Sequence, residues 1–318
     1  MTRGLWPGLR GRAAALASAT LLALLVLLPA CLAPRETAEA DRLEVAASFP
    51  ILADIVQNVA GDRARVWSVV PSGADVHTYE AAPRDIVRLA RSHAFVFMGG
   101  HHERFVEDGG WLAAADEAKV PVLEFAKGLD LIVVQRIVDH GDHIHDLTAG
   151  DPHVWLDPTR VADLVRLAAD FLTRIDPKGE ATYRANAARY GAELVQLDEE
   201  LRAGLASIPP ERRKLVVFHD AFRYFAARDQ FEVLEYVVKS HGQDPSVRDV
   251  AGVHEALRAS GVPAVFKEPQ FNAAVLDTIA ADRRVKVGTL LTDTFTDDVT
   301  TYLDLMRFNL QSLVTKLG

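Results

Sequence analysis

Apolar and polar positions follow two alternating patterns along most of the chain. From Leu43 onward, short apolar runs predict buried strands. The segments between them repeat apolar residues at the i, i+3 and i+4 spacing of amphipathic helices. This alternation predicts an α/β fold whose sheets are mainly parallel and flanked by helices.

The predicted elements form two similar sets. In the first set the strands are "LEVAASF", "ARVWSVVP", "AFVFMGG", "PVLEFA" and "LIVVQRIV", and the helices are "PILADIVQNVAG", "PRDIVRLARS" and "DPTRVADLVRLAADFLTRID". In the second set the strands are "KLVVFH", "FEVLEYVV", "PAVFKEP" and "VKVGTL", and the helices are "DAFRYFAARD", "SVRDVAGVHEALRASG", "NAAVLDTIAADR" and "DVTTYLDLMRFNLQSLVTKL". Two such sets predict two α/β lobes.

A long segment without an internal proline separates the two sets. Residues 177–209 keep helical spacing and show little strand signal, so they predict one helix of roughly thirty residues, about 45 Å long. We therefore expect an N-terminal lobe at 43–176, a linking helix at 177–209 and a C-terminal lobe at 210–318.

The first 31 residues have the pattern of an export signal. Arg3, Arg10 and Arg12 precede the apolar run "AAALASATLLALLVLLPA", and a small residue precedes the break at its end. A retained membrane anchor is the alternative, because a run near this length can span a bilayer. Residues 32–42 are polar and contain a proline, so they predict a tether.

Cys31 is the only cysteine of the chain and follows the apolar run directly, in "LLPAC". The stretch resembles the bacterial lipobox, in which this cysteine becomes the lipidated first residue of the mature protein. Leu28 and Ala30 match that pattern, whereas Pro29 departs from it. A lipidated Cys31 would hold the protein at a membrane; ordinary cleavage and a soluble mature chain are the alternative.

Composition and charge narrow the class of protein. Of 318 residues, 49% are hydrophobic and 25% charged, which is typical of a globular protein. The net charge of −9 argues against nucleic acid as a partner, since phosphate binding needs a basic surface. We expect an exported monomer, in the periplasm or at the outer face of the cytoplasmic membrane.

Three histidines and one aspartate stand out in loops between predicted elements. His77, His219 and Asp293 follow strands, and His153 precedes a helix. Ligands of open parallel sheets bind beyond the carboxyl ends of strands, so these side chains predict a site between the lobes. Three imidazoles and a carboxylate suit Zn²⁺, whereas Mn²⁺ favours more oxygen ligands. Taken singly, each histidine is also compatible with an ordinary core or surface position.

Nearby polar residues have different expected roles. Asp75, Asp157, Asp220 and Glu268 are candidates to accept the second ring N–H of a ligand histidine. Metal affinity should fall as the pH drops through about 6.5, the ordinary pKa of histidine. His101 and His102 are adjacent, so their side chains should point different ways, and we do not expect the two rings to share one site.

A short loop rich in histidine and aspartate precedes His153. His140, His143 and His145 lie there without any apolar period. They resemble a segment of zinc-selective metal-binding proteins, which implies an accessory metal loop that captures zinc weakly and passes it inward, or that senses high zinc. A solvated acidic loop without function is the alternative.

The motifs together resemble a known family. The chain contains "PSGADVHTYEAAPRDIVRLARSHAFVFMGG", "DPHVWLDP", "VVFHDAFRYFA", "DPSVRDV", "VFKEPQFNAAVLDTIA" and "LTDTFTDDVTTYLDLMRFNL". In this order they are similar to the zinc/manganese solute-binding proteins of bacterial ABC importers, cluster A-I. The resemblance implies two α/β lobes joined by one long helix, metal ligands at His77, His153, His219 and Asp293, and a permease with its ATPase as partners. Manganese-selecting members commonly carry glutamate at the third position, so His219 favours zinc.

We therefore expect a binding protein that captures Zn²⁺ and hands it to an ABC importer without covalent chemistry. Selection of Mn²⁺ by the same scaffold and a secondary adhesin or zinc-chaperone role are alternatives. A zinc hydrolase is a third alternative, but Asp293 would close the metal's fourth position and no "HExxH" motif supplies a base.

Overall fold

The structure is a computed structural model that describes residues 42–133, 137–139, 144–146, 150–239, 242 and 244–318. Leu43–Gly318 form one compact unit. The predicted export signal, Cys31 and the tether up to residue 41 lie outside the described residues. Among the helices described, none combines the length and apolar character needed to cross a membrane.

Short strands and helices alternate along the chain. The strands are β1 (Leu43–Ala47), β2 (Ala64–Ser68), β3 (Ala94–Phe97), β4 (Val122–Glu124), β5 (Ile137–Asp139), β6 (Ile144–Asp146), β7 (Lys214–Val217), β8 (Glu232–Tyr236), β9 (Ala264–Lys267) and β10 (Lys286–Thr289). The helices are α1 (Pro50–Ala60), α2 (Pro83–Leu89), α3 (Arg104–Asp108), α4 (Trp111–Glu117), α5 (Pro158–Ile175), α6 (Glu180–Leu205), α7 (Arg223–Asp229), α8 (Val247–Ser260), α9 (Ala274–Arg283) and α10 (Tyr302–Leu317).

Parallel pairing dominates the sheets. Four strands form a sheet in the order β2-β1-β3-β4. In its interior, β1 pairs Val45 with Val66 on one side and with Ala94 on the other, both in parallel. The strands β7 and β8 pair in parallel, as do β9 and β10. The predicted α/β fold with parallel sheets flanked by helices is confirmed.

The long helix α6 runs for 26 residues, Glu180–Leu205. It is shorter than the predicted 177–209, because 3₁₀ turns that begin at prolines flank it, Pro177–Gly179 and Pro210–Arg212. A buried stripe packs it against α1, α5 and α10, helices that precede and follow it in the chain. One long helix is confirmed, whereas its use as the boundary between two lobes stays a prediction.

Two segments differ from the predicted elements. Residues 131–133 are not in a strand, and Ile137–Asp139 instead pairs antiparallel with Ile144–Asp146. The apolar residues within 131–138 predict a strand, but the pattern does not indicate whether that strand joins a parallel sheet or a hairpin. The helix α4 was not predicted, because it is short and buries only Trp111 and Ala115.

Candidate metal centre

His77 lies in the loop after β2, beside a turn formed by Asp75. Its backbone N–H donates to Asp75 Oδ1 at 3.0 Å, and the Thr78 hydroxyl donates to Oδ2 at 2.8 Å. Such side-chain to backbone bonds make the short turn that aspartate favours. The turn keeps the His77 side chain buried.

His153 begins the 3₁₀ turn that leads into α5. Asp151 Oδ1 accepts a hydrogen bond from the backbone N–H of His153 at 2.9 Å and lies 2.8 Å from Nδ1 of the His153 ring. Asp151 is held in turn by residues from later in the chain. The Tyr224 hydroxyl donates to its carbonyl at 2.8 Å, and Arg223 Nε lies 3.4 Å from its Oδ2. Since Nδ1 is engaged, Nε2 of His153 is the nitrogen left for a metal.

His219 follows β7, and a buried glutamate orients its ring. Glu268 Oε1 lies 2.8 Å from His219 Nδ1. Gln270 Nε2 donates to Glu268 Oε2 at 3.1 Å, and the Thr292 hydroxyl donates to the same oxygen. This contact between carboxylate and histidine is the arrangement that fixes the tautomer of a metal ligand.

Asp293 follows β10 and stands at the centre of the three rings. Its Oδ2 lies 3.5 Å from Nε2 of His77 and 3.5 Å from Nε2 of His219, and its Oδ1 lies 4.0 Å from Nε2 of His153. One donor atom from each of the four residues lies within 4.8 Å of the others, and all four residues are buried. Three imidazole nitrogens and one carboxylate oxygen in this arrangement could hold a metal ion such as zinc.

Charge within the group is strongly coupled. Burial alone would lower the pKa of His219, but the adjacent Glu268 carboxylate, with help from Asp293, raises it to about 9. Burial alone would raise the pKa of Asp293, but a hydrogen bond from His77 and the nearby imidazoles hold it well below its ordinary value. Without a metal, His219 is therefore an imidazolium between two carboxylates.

A fifth side chain, His102, which we did not predict as a site residue, also lies at the group. Its ring centroid is 4.6 Å from that of His77 and 5.3 Å from that of His153. Burial lowers the pKa of His102 well below its ordinary range, so the ring is neutral. As expected, the adjacent His101 points elsewhere: its side chain is half exposed and contacts Glu107.

The four predicted partner residues divide by role. Glu268 contacts a ring nitrogen, as expected. Asp75 instead accepts from the backbone of His77, Asp157 caps α5, and Asp220 pairs with Arg223. Asp151 does contact a ring and was missed, although its place two residues before His153 is the spacing of an aspartate that bonds its own local backbone.

The accessory loop falls largely outside the described residues. His140 and His143 are not described at all. His145 lies in β6, but its side chain is not described. Its capture of zinc stays a prediction.

Comparison with known proteins gives a consistent class. The manganese-binding lipoprotein MntA of Halalkalibacterium halodurans is 28% identical over 284 residues, 88% of this chain and 90% of that protein. The metal ABC transporter substrate-binding lipoprotein SsaB of Streptococcus sanguinis is 26% identical over 289 residues, 87% and 90% of the two chains. A crystal structure of ZnuA superposes with a TM-score of 0.72 at 26% identity, covering 87% of this chain and all of that one.

The fold, the buried group of three histidines and an aspartate, and these similarities define a metal-binding substrate-binding protein of an ABC importer. The model of the ZnuA family, described as zinc-uptake complex component A, periplasmic, matches residues 45–316. The chain belongs to that family.

Zinc binding is expected to release about one proton per ion at pH 7.5. His219 holds that proton in the metal-free chain, because its folded pKa is about 9, and must lose it before Nε2 binds a metal. Affinity should therefore begin to fall as the pH drops below about 9, rather than only below about 6.5. Isothermal titration calorimetry in buffers of different ionisation enthalpy measures the released proton.

The matched control is Glu268→Gln, which removes the carboxylate that raises the pKa. In this variant the loss of affinity should begin at a lower pH. Its affinity above pH 9 should still be about 10–100-fold weaker, because the ring loses its orienting partner. Identical proton release by both proteins at every pH would contradict the role of Glu268.

Proposed function

We propose that this chain is exported, captures Zn²⁺ with His77, His153, His219 and Asp293, and delivers it to the permease and ATPase of an ABC importer. The observation that carries this proposal is the convergence of four donor atoms within 4.8 Å in a buried position. The donors come from four separate loops. Core packing alone does not require four buried polar atoms to point at one another.

The donor set supports zinc over manganese. Nitrogen supplies three of the four donors, and zinc accepts four-coordinate nitrogen and oxygen sets, whereas manganese prefers a larger number of oxygens. The family description names zinc uptake, while the name of the relative MntA specifies manganese. The third donor decides between them in our proposal, because His219 is the nitrogen that replaces the glutamate of manganese-selecting members.

Capture and release need no covalent chemistry in this proposal. A catalytic zinc keeps one position open for water, beside three protein ligands. Asp293 lies 3.5–4.0 Å from the Nε2 atoms of all three histidines and would fill that position. The site therefore suits sequestration and transfer of an ion rather than hydrolysis.

Each of the variants His77→Ala, His153→Ala, His219→Ala and Asp293→Ala should weaken zinc binding by more than about 100-fold, since removing a ligand costs more than removing its partner. Competition against a fluorescent zinc chelator measures this, with the chain beginning at Leu43. His254→Ala, on α8, is the matched control and should bind like the native chain. Native protein that ignores added zinc, or four variants that all bind normally, would refute the proposal.

Exchanging the third donor should shift the choice of metal. We expect His219→Glu to lower the preference for Zn²⁺ over Mn²⁺, because it replaces nitrogen with oxygen. The new carboxylate would face Glu268, so the informative variant is the double substitution His219→Glu/Glu268→Gln. Competitive titration of both metals, with Glu268→Gln alone as the control, measures the preference. An unchanged zinc-to-manganese ratio would show that this donor does not set selectivity.

We further infer that Cys31 carries a lipid that anchors the mature chain outside the cytoplasm. The names of both similar relatives contain the word lipoprotein, which supports the inference. Cys31→Ala expressed in a bacterium should move the protein from the membrane fraction to the soluble fraction. Mass spectrometry of the mature N-terminus provides the direct check, and an unmodified terminus would exclude the anchor.

A further inference from the structure

His102 occupies an unusual position beside the proposed zinc site. The residue is fully buried, with 0% of its surface exposed. Its ring lies between aromatic walls, with centroids 4.9 Å from Phe49 and 5.0 Å from Trp155. Neither ring nitrogen has a hydrogen-bond partner among the described residues.

Packing alone does not account for a histidine here. A buried polar group without a hydrogen bond destabilises the folded state. An apolar side chain of similar size, such as leucine, would fill the space between Phe49 and Trp155 without that penalty. The two nitrogens therefore suggest a ligand rather than a structural role.

The backbone holds His102 firmly against the site. Gly99, Gly100 and His101 have positive φ angles of 78°, 64° and 63°, which form a sharp turn. The buried carboxylate of Glu103 fixes this turn, accepting hydrogen bonds from the backbone N–H groups of Met98 at 2.8 Å and Gly99 at 3.0 Å. This geometry directs His101 outward and His102 inward.

His102 packs beside two of the four proposed ligands, although its nitrogens are not among the donor atoms that converge within 4.8 Å. The ring centroids of His77, His102 and His153 are 4.6, 5.3 and 5.7 Å apart. All three residues precede α6 in the chain, whereas His219 and Asp293 follow it. Three imidazoles are a sufficient set of protein ligands for zinc.

We propose that His102 is a reserve zinc ligand, which joins His77 and His153 to hold the ion when His219 and Asp293 are disengaged. This inference rests on the proposed zinc site. Release of the ion to a permease requires the four-donor group to be taken apart. A fifth donor on one side lets the ion stay bound to the residues before α6 while its bonds to the other side break.

The test removes the two donors that follow α6. The double variant His219→Ala/Asp293→Ala should bind one Zn²⁺ per chain, more weakly than the native protein. Adding His102→Leu should weaken that residual binding by more than about tenfold, one ligand's contribution. Adding His101→Asn instead should change it little, because asparagine tolerates positive φ and His101 points away from the site. Chelator competition measures the zinc affinity of the native protein, the double variant and the two triple variants. Circular dichroism checks that each is folded.

The outcomes separate this inference from the zinc site itself. Equal residual affinity with His102 and with leucine would overturn the reserve ligand, while the single-donor alanine variants independently test the main site. If the double variant does not fold, the same comparison is made in Asp293→Ala alone, with the same expected tenfold loss. Metal-free His102→Leu should also have a higher melting temperature than the native chain; a lower one, with unchanged residual zinc affinity, would leave His102 as a packing residue only.

Discussion

The structure depends on one electrostatic constraint, a buried carboxylate that needs positive charge beside it. Asp293 is 1% exposed, and an isolated buried anion is strongly unfavourable. In the metal-free chain a proton on His219 supplies the balancing charge. Glu268, on the far side of the same ring, strengthens the hold on that proton. A dication that replaces the proton meets a site already arranged for positive charge.

Polar bonds between distant parts of the chain hold this charged group in place. The Trp155 indole donates to the Thr292 carbonyl at 2.8 Å, and the Tyr302 hydroxyl donates to the Trp155 carbonyl at 2.7 Å. The Gly73 N–H also donates to the Thr294 hydroxyl at 2.6 Å. These bonds join loops before α6 to the loop that carries Asp293 and to Tyr302, the first residue of α10. The four donors are therefore positioned by tertiary contacts rather than by any single element.

The fold was accessible from the sequence because each element carries a local signal. The alternation of apolar runs and amphipathic segments, and prolines at helix starts such as Pro50 and Pro158, locate most strands and helices to within a few residues. The sequence pattern did not predict the short helix α4. It also did not show that the apolar run ending at β5 forms a hairpin strand. Whether an apolar strand pairs in a sheet or in a hairpin is decided by distant partners, which the local pattern does not contain.

The site was accessible in part. The four donors stood out because they lie in loops at predicted strand and helix ends and match the family's motifs. His102 was missed because an adjacent pair of histidines gives no indication of which ring faces inward. That direction depends on the positive φ angles of Gly99 to His101 and on the buried Glu103. Asp151 was missed because its role arises only when its neighbour's ring folds back onto it.

The hydroxyl of Thr292 lies between the two buried carboxylates and has a single hydrogen to give. It contacts Glu268 Oε2 most closely and lies 3.3 Å from Asp293 Oδ2. With its hydrogen directed to Glu268, only lone pairs of the threonine face Asp293. The hydroxyl thereby stabilises the charge of Glu268, while the charge of Asp293 stays directed at the imidazoles and at an incoming cation. The Thr292 hydroxyl thus makes two chemically similar carboxylates unequal: it donates to Glu268 and leaves the oxygens of Asp293 facing the histidines.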